Sequence, residues 1–225
     1  FVISLLLVFR TNTAYDRWWE GRKQLGALTN ASRNLAAKIQ AFVPESHWQQ
    51  FRLMIPSYAF ALNNLMKEKI DYHTLHPILD LDRGRHQPNQ IAGKLYREIA
   101  KLEDAGHLSP TQVLVVNEDL RQFTDICGAC ERIKNSPIPY TYIVFIKKFV
   151  FLYILTLPFG WVFSIGYLII PVIIFILYAF ASLELIAEEI ENPFGSDDND
   201  LPVDEICHNI RKHVTELLET RESKA

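Results

Sequence analysis

The chain begins with an apolar run, FVISLLLVF, which stops at Arg10 and gives way to an apolar and polar alternation of helical period. From Trp18 to Phe42 the positions Trp18, Gly21, Leu25, Leu28, Ser32, Leu35, Ile39 and Phe42 recur in steps of three and four, while Arg22, Lys23, Arg33 and Lys38 fall elsewhere. That period predicts a long amphipathic helix with a heptad-like seam. Residues 1–9 fall short of the roughly 20 residues a bilayer crossing needs. They fit the inner half of a span cut within a helix, because the first residue is Phe and no basic start or cleavage site accompanies it. Joined, the two segments make one helix that leaves a membrane and runs on into water. Phe1, Leu5 and Phe9 recur every four residues and share one of its faces. Trp18 and Trp19, beside Arg17, fall at the interface, where amphipathic rings are favoured, and the basic residues after them mark the cytoplasmic side.

Pro44 breaks the pattern, and Ser46 to Gln49 predict a capped second helix reaching about Ile70 and kinked at Pro56. Residues 71–90 are rich in Pro, Gly, Asp and Asn and read as an irregular connection. A helix over about 91–105 follows. Ser109-Pro110-Thr111-Gln112 then combines a Ser cap, Pro at the first helical position and Gln at the third, and starts a helix that runs to roughly Lys134 before NSPIP. Phe149 to Leu183 carries no charge. As one helix that run would measure about 52 Å at 1.5 Å per residue, too long for a hydrocarbon core of about 30 Å. The expected break is at Pro158-Phe159-Gly160, giving a hairpin of roughly Tyr142–Leu157 and Trp161–Leu183. Lys147 and Lys148 must then reach the interface or a wet cavity. Beyond Leu183 the chain turns acidic, with no Lys or Arg before Arg211. The expected layout is therefore a membrane helix end at 1–13, cytosolic helices at 14–139, a transmembrane hairpin at 140–185, and an acidic bend with a polar tail at 186–225.

The average composition, 22% charged residues, hides these two populations. A formal charge of −3 argues against nucleic acid as a partner, since phosphate-binding domains carry a basic surplus. Three cysteines make no even disulfide framework. Cys127 and Cys130 with Cys207 and His208 could offer three thiolates and an imidazole to zinc, although a CxxC inside a helical pattern fits packed cysteines better. His73 and His76, with Asp80, Asp82 and His86 nearby, are a weaker cluster on an irregular segment. The bend NPFGSDDND gathers the carboxylate and amide oxygens that a hard divalent ion prefers, with Gly195 available for unusual dihedrals, but a solvated turn explains it as well. No HExxH, GxSxG or phosphate-cradling glycine loop gives an enzyme reading a starting point. On the Phe1, Leu5, Phe9 face, contact with lipid or neighbouring helices competes with an apolar ring that could gate a pore by dewetting.

The segments FRTNTAYDRWWEGRK, CGACERIKNSPIPYTY followed by LPFGW, and ENPFGSDDNDLP resemble, in this order, signature stretches of the bacterial bestrophin-like proteins. The resemblance covers nearly the whole chain and implies an all-α integral membrane protein. It implies a homopentameric channel for small ions, most often chloride, surrounded by lipid and placed in the bacterial inner membrane. It also implies a neck lined by Phe1, Leu5 and Phe9, ahead of the interface residues Arg17, Trp18 and Trp19, and a second cytosolic constriction at Thr111. For calcium it points to Asp197, Asp198, Asn199 and Asp200, with Ser196 standing where animal members have Glu. The acids between 184 and 205 leave cation selectivity open. A membrane-anchored zinc protein and a non-conducting helical scaffold remain as readings from other classes.

Overall fold

The computed structural model describes residues 2–67, 79–82, 84–195 and 197–219, and every regular element among them is helical. The order is α1 (Val2–Phe42), α2 (Trp48–Lys67), α3 (Gln87–Asp104), α4 (Pro110–Asn135), α5 (Tyr140–Ile165), α6 (Ile169–Glu191) and α7 (Val203–Leu217). The chain divides into two compact units, one of Phe1–Gly21 with Ile133–Leu201 and the other of Arg22–Arg132 with Pro202–Ala225.

In the first unit, α5 and α6 form the hairpin. Their most apolar stretch is only 6% buried, as expected of surfaces that face lipid. The reversal lies at Gly166–Leu168, not at Pro158-Phe159-Gly160. Pro158 removes one helix hydrogen bond but leaves α5 running on, whereas the reversal needs a positive φ, which Gly166 adopts at 53° and proline cannot reach. The arms are accordingly longer than expected. At about 1.5 Å per residue each exceeds the hydrocarbon thickness of about 30 Å. α6 carries the membrane arm on into its acidic end at Glu191. Within this unit the amino-terminal turns of α1 bury Ile3 and Leu7 against Ile146, with Tyr142, Phe149, Val150 and Phe180 around them.

The second unit is a helical core. The seam of α1 is buried at Leu25, Leu28, Ser32, Leu35 and Ile39. Also buried in this unit are Phe51, Ile55 and Tyr58 of α2, Leu95 and Ile99 of α3, Leu120 and Phe123 of α4, and Ile210 and Val214 of α7, with α2 packed on both α3 and α7. Tyr58 stacks on Phe123 at 4.8 Å between ring centres and donates to the Phe123 carbonyl at 2.7 Å. Lys38 pairs with the buried Asp119 at 2.7 Å.

Two helix starts contrast. Ser109 and Gln112 form the expected reciprocal cap of α4: the Ser109 N–H donates to Gln112 Oε1 at 2.9 Å and the Gln112 N–H to Ser109 Oγ at 3.3 Å. The cap expected at Ser46–Gln49 is absent. Pro44 leads instead into a 3-10 turn, Glu45–His47, without a side-chain cap hydrogen bond, and α2 follows at Trp48. α3 starts at Gln87, earlier than the apolar pattern suggested, because His86 caps it by accepting the Asn89 N–H.

Candidate functional site

The first turns of α1 are apolar on all sides, so sequence alone does not say which face turns inward. In the structure Ile3, Leu7, Arg10 and Ala14 are buried, while Leu5 and Phe9 are 43% and 54% exposed. Phe1 lies outside the described residues. Polar ties hold the buried face. Arg10, fully buried, donates from Nη2 to Glu191 Oε2 at 2.7 Å, and its Nε lies 3.7 Å from Glu184 Oε1. The other Glu191 carboxylate oxygen accepts the Ile138 N–H at 2.9 Å. Arg17, two turns further on, donates to the Glu191 carbonyl at 3.0 Å, to the Ile133 carbonyl at 2.6 Å and to the Ser136 carbonyl. The end of α6 and the NSPIP connection are thereby pinned to α1. Lys147 reaches Glu188 at 2.8 Å, which settles one of the two charges in the first hairpin arm.

Trp18 is half-buried, stacks with Tyr15 and donates from Nε1 to the Asn199 carbonyl at 3.0 Å, whereas Trp19 is 47% exposed. The acidic bend sits against Gly21, where an added Cβ would lie 3.1 Å from Leu201, 3.2 Å from Pro193 and 3.3 Å from Phe194. The bend closes on itself. The Leu201 N–H donates to the Pro193 carbonyl at 3.0 Å, and the Asp197 N–H donates to the Asp200 carboxylate at 2.5 Å. That carboxylate also lies against Gly195, where a Cβ would come within 2.6 Å. The Asn199 amide donates to Glu189 at 2.6 Å. Of the four calcium candidates, Asp200 is thus turned inward and Asn199 is committed to Glu189.

The zinc set proposed from sequence does not assemble either. Cys127 and Cys130 lie on α4 while Cys207 and His208 lie on α7, and His208 packs edge-on against Phe60. Among the described residues, the cluster that brings metal-ligand atoms together is His86, Cys127 and Glu131, all within 4.8 Å. Its hydrogen bonds argue against a metal. His86 Nδ1 accepts the Asn89 N–H, so the neutral ring carries its proton on Nε2 and donates to Glu131 at 2.9 Å. A metal-binding imidazole normally donates from its second nitrogen. Burial pushes the Cys127 thiol up to about 11, helped by Glu131, and the Cys130 and Cys207 thiols to about 12. All three are ordinary buried thiols. Of the histidine cluster, His73 and His76 lie outside the described residues; Asp82 pairs with Arg85 at 3.1 Å and accepts the Gly84 N–H, apart from the His86 pair. Thr111 is exposed in the first turn of α4, with the 71% exposed Leu114 one turn on.

A lipid-facing hairpin, a long helix leaving it, and a buried arginine paired with carboxylates at its base define an integral membrane helical protein. The family description "Bacterial/Fungal Bestrophin protein" matches residues 1–216, and the chain belongs to that family. A relative from Nostoc sp. (strain PCC 7120), named voltage-dependent anion channel-forming protein alr2987, is 35% identical over 231 residues, 96% of this chain and 74% of its own length. The voltage-dependent anion channel-forming protein YneE of Escherichia coli (strain K12) is 31% identical over 99% of this chain and 76% of its own. A crystal structure of a bacterial bestrophin homolog from Klebsiella pneumoniae is 26% identical and superposes with a TM-score of 0.89, covering 96% of this chain and 84% of that one. The all-α membrane architecture expected from the sequence is therefore established. Sequence reasoning passed over Arg10, Glu184 and Glu191 as a group; the one signal available was a lone Arg ending an apolar run.

Proposed function

We propose that the chain is the subunit of a homopentameric channel in the bacterial inner membrane that conducts small anions, chiefly chloride, through a neck lined by Leu5 and Phe9 together with Phe1. The observation that carries this is the face of α1: Ile3, Leu7, Arg10 and Ala14 are used inside the protomer, while the apolar Leu5 and Phe9, flanked by Val2 and Val8, are exposed on the outward side. In a ring of copies around an axis, that outward face stacks apolar rings four residues apart, a constriction that water leaves readily and that small side-chain changes open. The named anion-channel activity of the relatives supports the ion type. Trp18 and Trp19 mark the interface, and Thr111 supplies a second, polar constriction on the cytosolic side.

The test is the reversal potential of the full-length protein in planar bilayers under a KCl gradient, with Leu5→Ala alongside. A potential near the chloride equilibrium value and a larger conductance in Leu5→Ala are expected. A potential near the potassium value would overturn the anion assignment, and unchanged currents in Leu5→Ala would remove Leu5 from the neck.

A further inference from the structure

We propose that Arg10 is a positioning residue of the neck: together with Arg17 on the same helix face it fixes the rotation of α1 about its own axis, so that Leu5 and Phe9 stay on the outward side of the protomer while Ile3 and Leu7 stay inside. The proposal rests on the neck reading above. The segment Val2–Phe9 is apolar all round except for Ser4, so its contact with Ile146 and Phe149 does not choose one rotation over another. Leu6 or Val8 could replace Leu7 in that contact with little loss, because apolar burial is non-directional. A guanidinium hydrogen bond is directional. Arg10 lies about 100° around the helix from Phe9 and about 140° from Leu5, at 100° per residue. Holding it inward on Glu191 therefore holds both aromatic and aliphatic neck candidates outward.

The chemistry of the pocket points to registry over stability. Arg10 is fully buried, yet among the described residues its Nε and Nη1 have no hydrogen-bond partner, and neither has the Glu184 carboxylate, which only approaches Nε at 3.7 Å. Buried polar atoms left in this state are costly, and an apolar side chain of similar length would avoid the penalty. Retention of such a charge fits the best-attested use of buried ionic groups, which is to specify one arrangement among several of similar energy. The same carboxylate of Glu191 that holds Arg10 also accepts the Ile138 N–H, so the rotation of α1 is referred to the entry of α5 and the exit of α6 together.

Cysteine accessibility tests this in the full-length protein reconstituted in bilayers. Leu5→Cys, Leu6→Cys and Phe9→Cys are each treated with a charged methanethiosulfonate while current is recorded; the three native cysteines are buried and give little background. In the otherwise unaltered protein, Leu5→Cys and Phe9→Cys should react at least tenfold faster than Leu6→Cys. With Arg10→Met and Glu191→Gln added, which removes the Arg10–Glu191 ion pair but keeps an oxygen for the Ile138 N–H, that ratio should fall toward one. An unchanged ratio in an assembled, equally heat-stable protein would overturn the proposal, since a merely structural Arg10 would shift stability and leave the ratio alone. If the double variant does not assemble, Glu191→Gln alone is read the same way, and there too an unchanged ratio overturns it. Failure of Leu5→Cys and Phe9→Cys to react in the unaltered background would instead overturn the neck itself.

Discussion

Gly21 offers the sharpest test of how α1 receives the acidic bend. A Cβ there would sit 3.1 Å from Leu201, 3.2 Å from Pro193 and 3.3 Å from Phe194, against an optimum of about 3.5–4.0 Å between carbons. Two effects oppose each other in Gly21→Ala. Helix propensity favours alanine by about 1 kcal/mol in a helix interior. Overpacking in a close-packed site costs about 1–3 kcal/mol. Leu201 can turn aside, but the Pro193 ring is rigid and Phe194 is only 1% exposed, so relief is partial. The overpacking side should win by about 1 kcal/mol, which for a chain of this size lowers the midpoint of thermal unfolding by about 2–4 °C. The assay is thermal unfolding of the purified full-length protein in detergent at one fixed scan rate, since the midpoint of an irreversible transition depends on that rate. The mechanism is checked by coupling: after Leu201→Ala has opened space, Gly21→Ala should turn neutral or stabilising. A Gly21→Ala protein more stable than the parent by the full helix-propensity gain, with no coupling to Leu201→Ala, would refute the tight contact.

Tyr58→Phe removes a buried hydroxyl that donates to the Phe123 carbonyl at 2.7 Å, and should lower stability by about 1–2 kcal/mol without changing ion selectivity; melting and reversal potential measure both. Gly166→Ala places a Cβ at a φ of 53° and ψ of −134°, outside the left-handed helical region that other residues tolerate, and should cost on the order of 1–3 kcal/mol, seen as reduced yield of assembled protein or a lower melting temperature. Lys67, at hydrogen-bond distance, holds the Asp204 carboxyl below the usual aspartate range, with Asn63 adding to it. That contribution is complete above the ordinary aspartate value of about 3.9 and fades as pH falls through the lower folded value, so Asp204→Asn should flatten the acid limb of a stability profile below about pH 4.

Features written in short periods were legible. The seam from Leu25 to Ile39 is buried as its steps of three and four require, and Ser109 with Gln112 caps α4 from four consecutive residues. The hairpin was legible as a hairpin because a charge-free run of that length has no other use. Its turn was misplaced because Pro158 is the louder sequence signal, while the reversal needs only a tolerated φ at Gly166. The polar sites were hidden for a different reason. Asp200 looks like a metal ligand until its carboxylate is seen accepting the Asp197 N–H, and His86 looks like part of a loop cluster until it meets Glu131 across 45 positions. Which groups satisfy each other across such distances is a property of packing, which period and composition do not encode.

The ties on Glu191 also set a timetable. Arg10 and Arg17 bond to a residue 181 and 174 positions later in the chain. At ribosomal speeds of about 5–20 residues per second, α1 waits on the order of ten to thirty seconds for its partner to be made. Until Ile133 and Ser136 are made for Arg17, its apolar turns have no directional contact to orient them, and Arg10 waits longer still. The helix that carries the neck is thus made before the hairpin and aimed after it, and errors in biogenesis should accumulate in its rotation before they appear in the hairpin.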